Sequence, residues 1–169
     1  MDEVITRVLI RLIDEASSRQ FLTQKTYDAL YNHVEYNTRL NNSAIAELTA
    51  LLTSGKLRGP RVPYIYRGAG VQRLKFSGDI DVQQTSWQQL RITIPQMSWS
   101  LSEAVAADYI YVGSRWEVVY RARPLNNIGR LIAGINRLVD APKQERDREV
   151  LAIAPIITSH VRITKGEIS

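Results

Sequence analysis

Apolar residues recur at helical spacing three times near the start of the chain. Val4, Ile5, Val8, Leu9, Leu12, Ile13 and Ala16 mark an amphipathic helix over 3–17, with Arg7, Arg11 and Asp14 mainly on its other face. That stripe has to be buried against the core or a neighbouring subunit. Thr23 is placed to cap a second helix over 24–39, whose stripe is Tyr27, Leu30, Tyr31 and Val34. After the break at Asn41-Asn42, a third helix over 43–53 carries Ile45, Leu48, Leu51 and Leu52, and Gly55 stands where a C-terminal glycine belongs. The first third, about 3–55, therefore reads as a helical unit.

The period then changes. Residues 56–70 contain Gly59, Pro60, Pro63, Gly68 and Gly70, which exclude a long helix and a central strand. They read as an extended basic arm anchored by Tyr64, Ile65 and Tyr66. From 71 to 123 the pattern is β-like. Val71 to Phe76 alternates, as does Leu90 to Ile94, and Pro95 ends the latter or marks an edge. Tyr109 to Val112 and Trp116 to Tyr120 flank Gly113-Ser114-Arg115, the spacing of a hairpin. Ser102 to Ala107 fits a single helical turn. Asn127 is positioned as the cap of a last helix, in which Ile128, Leu131, Ile132, Ile135, Leu138 and Val139 follow helical spacing up to Pro142. Lys143 to Glu149 is a solvated charge run, and Ile157 to Thr164 reads as a final strand. Helices, then strands, then a helix and a short strand predict one α+β domain with a mainly antiparallel sheet, not a doubly wound fold.

A length of 169 residues with 44% hydrophobic and 23% charged residues is enough for one sizeable core and argues against disorder. No apolar run approaches the roughly 18 to 20 residues that cross a bilayer. Met1-Asp2-Glu3 lacks the basic start of a signal peptide. A cytoplasmic or virion location without membrane attachment is expected. With no cysteine, thiolate nucleophiles and Cys-type zinc sites are excluded.

Charge changes the picture more than composition does. From Leu48 to Gly78 there is no acidic residue, while Lys56, Arg58, Arg61, Arg67, Arg73 and Lys75 supply six positive charges. The rest of the chain has 16 basic and 17 acidic residues, so the net +5 resides in this stretch. Together with Tyr64 and Tyr66 it forms the first candidate contact surface, for a protein partner or for nucleic acid, since Arg and Lys contact phosphates and aromatic rings stack on unpaired bases. The hairpin is the second. Tyr109, Tyr111, Arg115 and Trp116 are residue types enriched at protein interfaces.

Catalytic patterns are missing from the sequence. His33 and His160 have no metal-ligand partner at a standard spacing, and Asp79 with Asp81 has no third acid nearby. There is no Gly-x-Ser-x-Gly elbow and no Walker-type loop. Gly68-Ala69-Gly70 starts like a dinucleotide loop, but Arg73 replaces the third glycine and a strand follows. No catalytic residue, cofactor or metal is expected. The expected role is a non-enzymatic structural or interaction subunit of a homo-oligomeric assembly with other protein subunits. The neck, connector or adaptor of a tailed phage particle is a setting that suits these features. The alternative is a nucleic-acid-binding module using residues 56–75.

Overall fold

A computed structural model describes residues 18–74, 76, 79–110, 113–140 and 150–166. The expected helix over 3–17, Lys75, Tyr111 and the charge run 143–149 lie outside the described residues. The fold is α+β, with N-terminal helices, antiparallel sheets, and a C-terminal helix and strand.

Helix α1 (Gln24–Tyr36) starts as expected, with the Thr23 hydroxyl accepting a hydrogen bond from the Thr26 amide. It ends at Tyr36, short of the expected boundary, because Asn37 turns left-handed at φ 58°. Asn41 does more than break the pattern: its side chain accepts from the Ala44 amide at 2.8 Å and caps α2 (Asn42–Thr53). That helix closes with paired bonds, Gly55 N–H to Leu52 O and Lys56 N–H to Leu51 O.

The buried stripes of these helices, Leu30, Val34, Ala44 and Leu48, need an apolar surface to cover. A three-stranded antiparallel sheet provides it. Its strands are β4 (Ser98–Trp99), β7 (Val150–Ala152) and β6 (Leu131–Ala133), in the order β4-β7-β6. Ile132 and Leu151, opposite one another in the ladder, join the helical cluster. Leu131, Val150 and Ala152 alternate to the other face and pack with Ile65, Ile94, Trp99 and Ile156 in a second cluster. The Tyr27 hydroxyl donates to Val139 O at 2.7 Å, tying α1 to the segment that follows β6.

The larger sheet contains β1 (Ile65–Val71), β5 (Trp116–Ala122), β9 (His160–Gly166) and β2 (Gln88–Gln89), in the order β1-β5-β9-β2, all antiparallel. The expected strand at 90–94 is divided. The chain leaves the large sheet at β2 and pairs β3 (Thr93–Ile94) with β8 (Ile156–Ile157). The buried Thr158 hydroxyl sits at the crossing, donating to Leu90 O and accepting from Ile92 N–H.

Three expectations are corrected. The hairpin does not form, because β5 already has β1 and β9 on its two sides and Tyr109 follows the short helix α3 (Glu103–Asp108). The long helix over 127–139 is instead a turn, strand β6 and the single-turn helix α4 (Ile135–Leu138). Gly129 at φ 80° and Gly134 at φ 69° set left-handed bends that a continuous helix cannot contain. The alternating stretch 71–76 is not a strand, since β1 ends at Val71 and residues 72–73 bend. The second half of the arm forms β1 instead, at the edge of its sheet. The expected turn at 102–107 is α3, capped by Ser102.

Candidate functional site

Strand alternation decides which side chains meet on the large sheet. On one face Val118, Val161 and Ile163 are buried with Tyr120, Leu74, Phe76 and Leu90 packed around them. The intervening residues emerge on the other face. Register places Tyr66 opposite Arg121, Arg121 opposite His160, and Val119 opposite Arg162. Arg123 follows Arg121 by two and returns to the same side. Two local patterns, Arg121-Ala122-Arg123 and His160-Val161-Arg162, thus put four basic side chains together.

Aromatic rings hold them there. The Arg121 guanidinium carbon lies 4.2 Å from the Tyr64 ring centroid and 4.4 Å from that of Trp87. Arg162 is also 4.4 Å from the Trp87 ring, and Arg123 is 5.5 Å from Tyr64, to whose hydroxyl it donates. Such contacts contribute about 0.5 to 2 kcal/mol each, more where the cation is desolvated. Tyr64 meets His160 edge-on at 6.0 Å, and Tyr66 leans on Trp87 at 6.1 Å. Among the described residues, the one carboxylate paired with these guanidiniums is Glu103, on Arg162. Arg121 is half-buried, yet its side chain makes no hydrogen bond or ion pair with any described residue.

Helix α3 borders the cluster and supplies Glu103. It can lie against β1 only because Gly68 leaves room, while Gly70 makes room for the Ser114 side chain. A Cβ at Gly68 would stand 2.9 Å from the Ala106 carbonyl carbon and closer still to its oxygen. Gly68 thus admits the chain's own helix to the strand, and β1 carries it on the same face as Tyr66.

His160 takes its electrostatics from this setting. Burial first, then the Arg121 and Arg123 charges, hold its imidazole below the ordinary value of 6.5. The unfolded chain therefore binds the His160 proton more readily than the folded one. The stability this neutral histidine contributes is full above the ordinary value and is lost as pH falls from there through the lower folded value. We expect an NMR titration to place the His160 midpoint below the ordinary imidazole value, and Arg121→Met to move it back up. A midpoint unchanged by Arg121→Met would show that the arginine charge does not reach the ring.

No protein-family model, curated protein or solved structure matches this chain. Geometry therefore carries the functional reading.

The arm residues expected at the first contact surface are not gathered in one place. Lys56 lies over the Phe21 ring at 5.1 Å. Arg58 and Arg61 are exposed on the loop before β1, and Arg73 is exposed beyond its end. Arg67 leaves the opposite face of β1 from Tyr66 and donates to Ser98 O. Of the described arm residues, Tyr64 and Tyr66 alone join the arginine cluster. Of the second surface, Tyr109 is exposed after α3, Arg115 is exposed before β5, and Trp116 packs on the apolar face of the sheet. Arg121, Arg123, Arg162 and Trp87 escape the sequence reading as site residues. Their alternation in short β-like segments is the signal that could have found them.

A second feature lies beside Arg123. A 3-10 turn over Pro124–Asn126 leads into Asn127, which is 1% exposed. Its side-chain amide donates to Arg123 O and Ile157 O, and its oxygen accepts from Ile157 N–H at 2.8 Å. This pinned loop presents Leu125 and Ile128, 81% and 79% exposed.

Proposed function

We propose that this chain is a non-enzymatic interaction subunit of a homo-oligomeric assembly, docking through the loop 124–129. The carrying observation is Leu125 and Ile128 held out on a loop that Asn127 fixes from within. Isolated exposed aliphatics are ordinary on a protein surface. Two on one pre-organised loop are better suited to binding, because ordering the loop costs little on association. Burying each would contribute about 1.5 to 3 kcal/mol. A symmetric assembly repeats such a contact in every subunit. A virion neck, connector or adaptor, the setting expected from the sequence, is the larger particle into which such a ring would fit.

Replacing both residues by aspartate tests the reading. The double variant L125D/I128D should still fold, since both side chains are exposed on the single chain and only the association they make is lost. Sedimentation velocity should find the wild type associated and the double variant monomeric. A wild-type chain that sediments as a monomer, unchanged by the substitutions, would overturn the proposal.

A further inference from the structure

We propose that the cluster of Arg121, Arg123 and Arg162 beside Trp87 and Tyr64 binds a phosphoryl oxyanion, either free or carried by a single-stranded nucleic acid. The site is distinct from the docking loop and does not depend on it.

Unused donor capacity points to an anion. A guanidinium has five N–H donors and no acceptor. Arg121 is half-buried between rings and spends none of those donors on a described residue. The Nε atoms of Arg121 and Arg162 and Nδ1 of His160 are each buried without a hydrogen-bond partner among the described residues. Leaving such groups unpaired is costly, and an anion entering the corner can draw the flexible arginine ends toward it. Contacts with the Trp87 and Tyr64 rings hold the Arg121 and Arg162 guanidiniums in place. Pre-organised planar forks of this kind match the oxygens of phosphate.

Charge selects the class of anion. Three guanidiniums face one described carboxylate, Glu103, so the corner retains two positive charges with His160 neutral. A free phosphate or phosphomonoester carries about −1.5 to −2 at neutral pH and matches that surplus, and two successive phosphodiesters of one strand carry the same charge, whereas a single carboxylate does not. Strands β5 and β9, the residues next to the ends of β1, β2 and β5, and helix α3 supply the side chains, so the cluster is built before any ligand arrives.

The test is calorimetric titration at low ionic strength with inorganic phosphate and, separately, with single-stranded oligothymidylate. At least one should bind the wild type. Arg121→Met keeps apolar volume under the rings and should weaken binding about tenfold or more. Glu103→Gln removes the competing carboxylate and should tighten binding. R61A/R73A, altering exposed arginines outside the corner, should leave affinity unchanged. Bound phosphate should also raise the His160 titration midpoint, read by NMR. Binding of inorganic phosphate alone identifies a free-phosphate site, and binding of the oligonucleotide alone identifies a phosphodiester site. If neither ligand binds, or if R61A/R73A costs as much as Arg121→Met, the proposal is wrong. Should Arg121→Met fail to fold, the Glu103→Gln gain and the His160 shift decide the matter, and absence of both overturns it.

Discussion

Asn127→Ala is expected to lower the stability of the folded chain by about 3 to 5 kcal/mol, a large effect for one side chain. The asparagine is buried and makes three hydrogen bonds to main-chain groups: two carbonyls, of Arg123 and Ile157, and the Ile157 N–H. Alanine removes that partner from all three, although Arg123 O keeps its bond from the Asn126 amide. Each unsatisfied buried group costs about 1 to 3 kcal/mol, and entering water recovers only part of it. The two ends joined by the side chain lie 30 residues apart, so the bond set also closes β8 against the exit of β5. A urea titration read by intrinsic fluorescence measures the loss. A change below about 1 kcal/mol would show that water or a shifted backbone replaces the side chain, and that Asn127 is not what holds the loop. Hydrogen exchange should show the 125–129 amides opening faster in the variant than those of the sheet, which connects the stability effect to the docking loop.

The same residue shows what can and cannot be read in the sequence. Asn127 before an apolar series at helical spacing has the features of an N-cap, and local information permits no other conclusion. Its real partner, Ile157, is distant in sequence. Ile128, the first member of the expected stripe, is almost fully exposed, while Leu131 and Ile132 point to opposite faces of a strand. A spacing of three and four is met by chance when two glycines bend the chain between short elements. By contrast Thr23 and Gly55 act within one turn of their own position, and there the expectation and the structure agree. The basic arm illustrates the same limit in charge. Its lack of acidic residues is visible in the sequence, but the folded concentration of arginine arises from strand register. Arg121 and Arg162 become neighbours only when β5 and β9 pair, and Trp87 reaches them because β2 adds to β9. Tyr64 and Tyr66 are legible as anchors, though what they anchor is arginine from another part of the chain.

Gly68→Ala is expected to destabilise by about 3 kcal/mol, because the added methyl would meet the main chain of α3 and not a movable side chain. The new Cβ would overlap Ala106 O and stand 2.9 Å from its carbonyl carbon, well inside the van der Waals limit. Relief requires α3 to move off β1 as a unit. Gly166→Ala offers a comparison on the same sheet: there the new Cβ would meet the edge of the Trp116 ring, 2.6 Å from Cε3. A ring can rotate away at the cost of an off-rotamer angle, about 0.5 to 1.5 kcal/mol. Denaturation midpoints should therefore rank wild type above Gly166→Ala, and Gly166→Ala above Gly68→Ala. The reverse order would mean that α3 yields more easily than the indole and is not rigidly seated on the sheet. Because α3 carries Glu103, its seating also governs the charge beside Arg162.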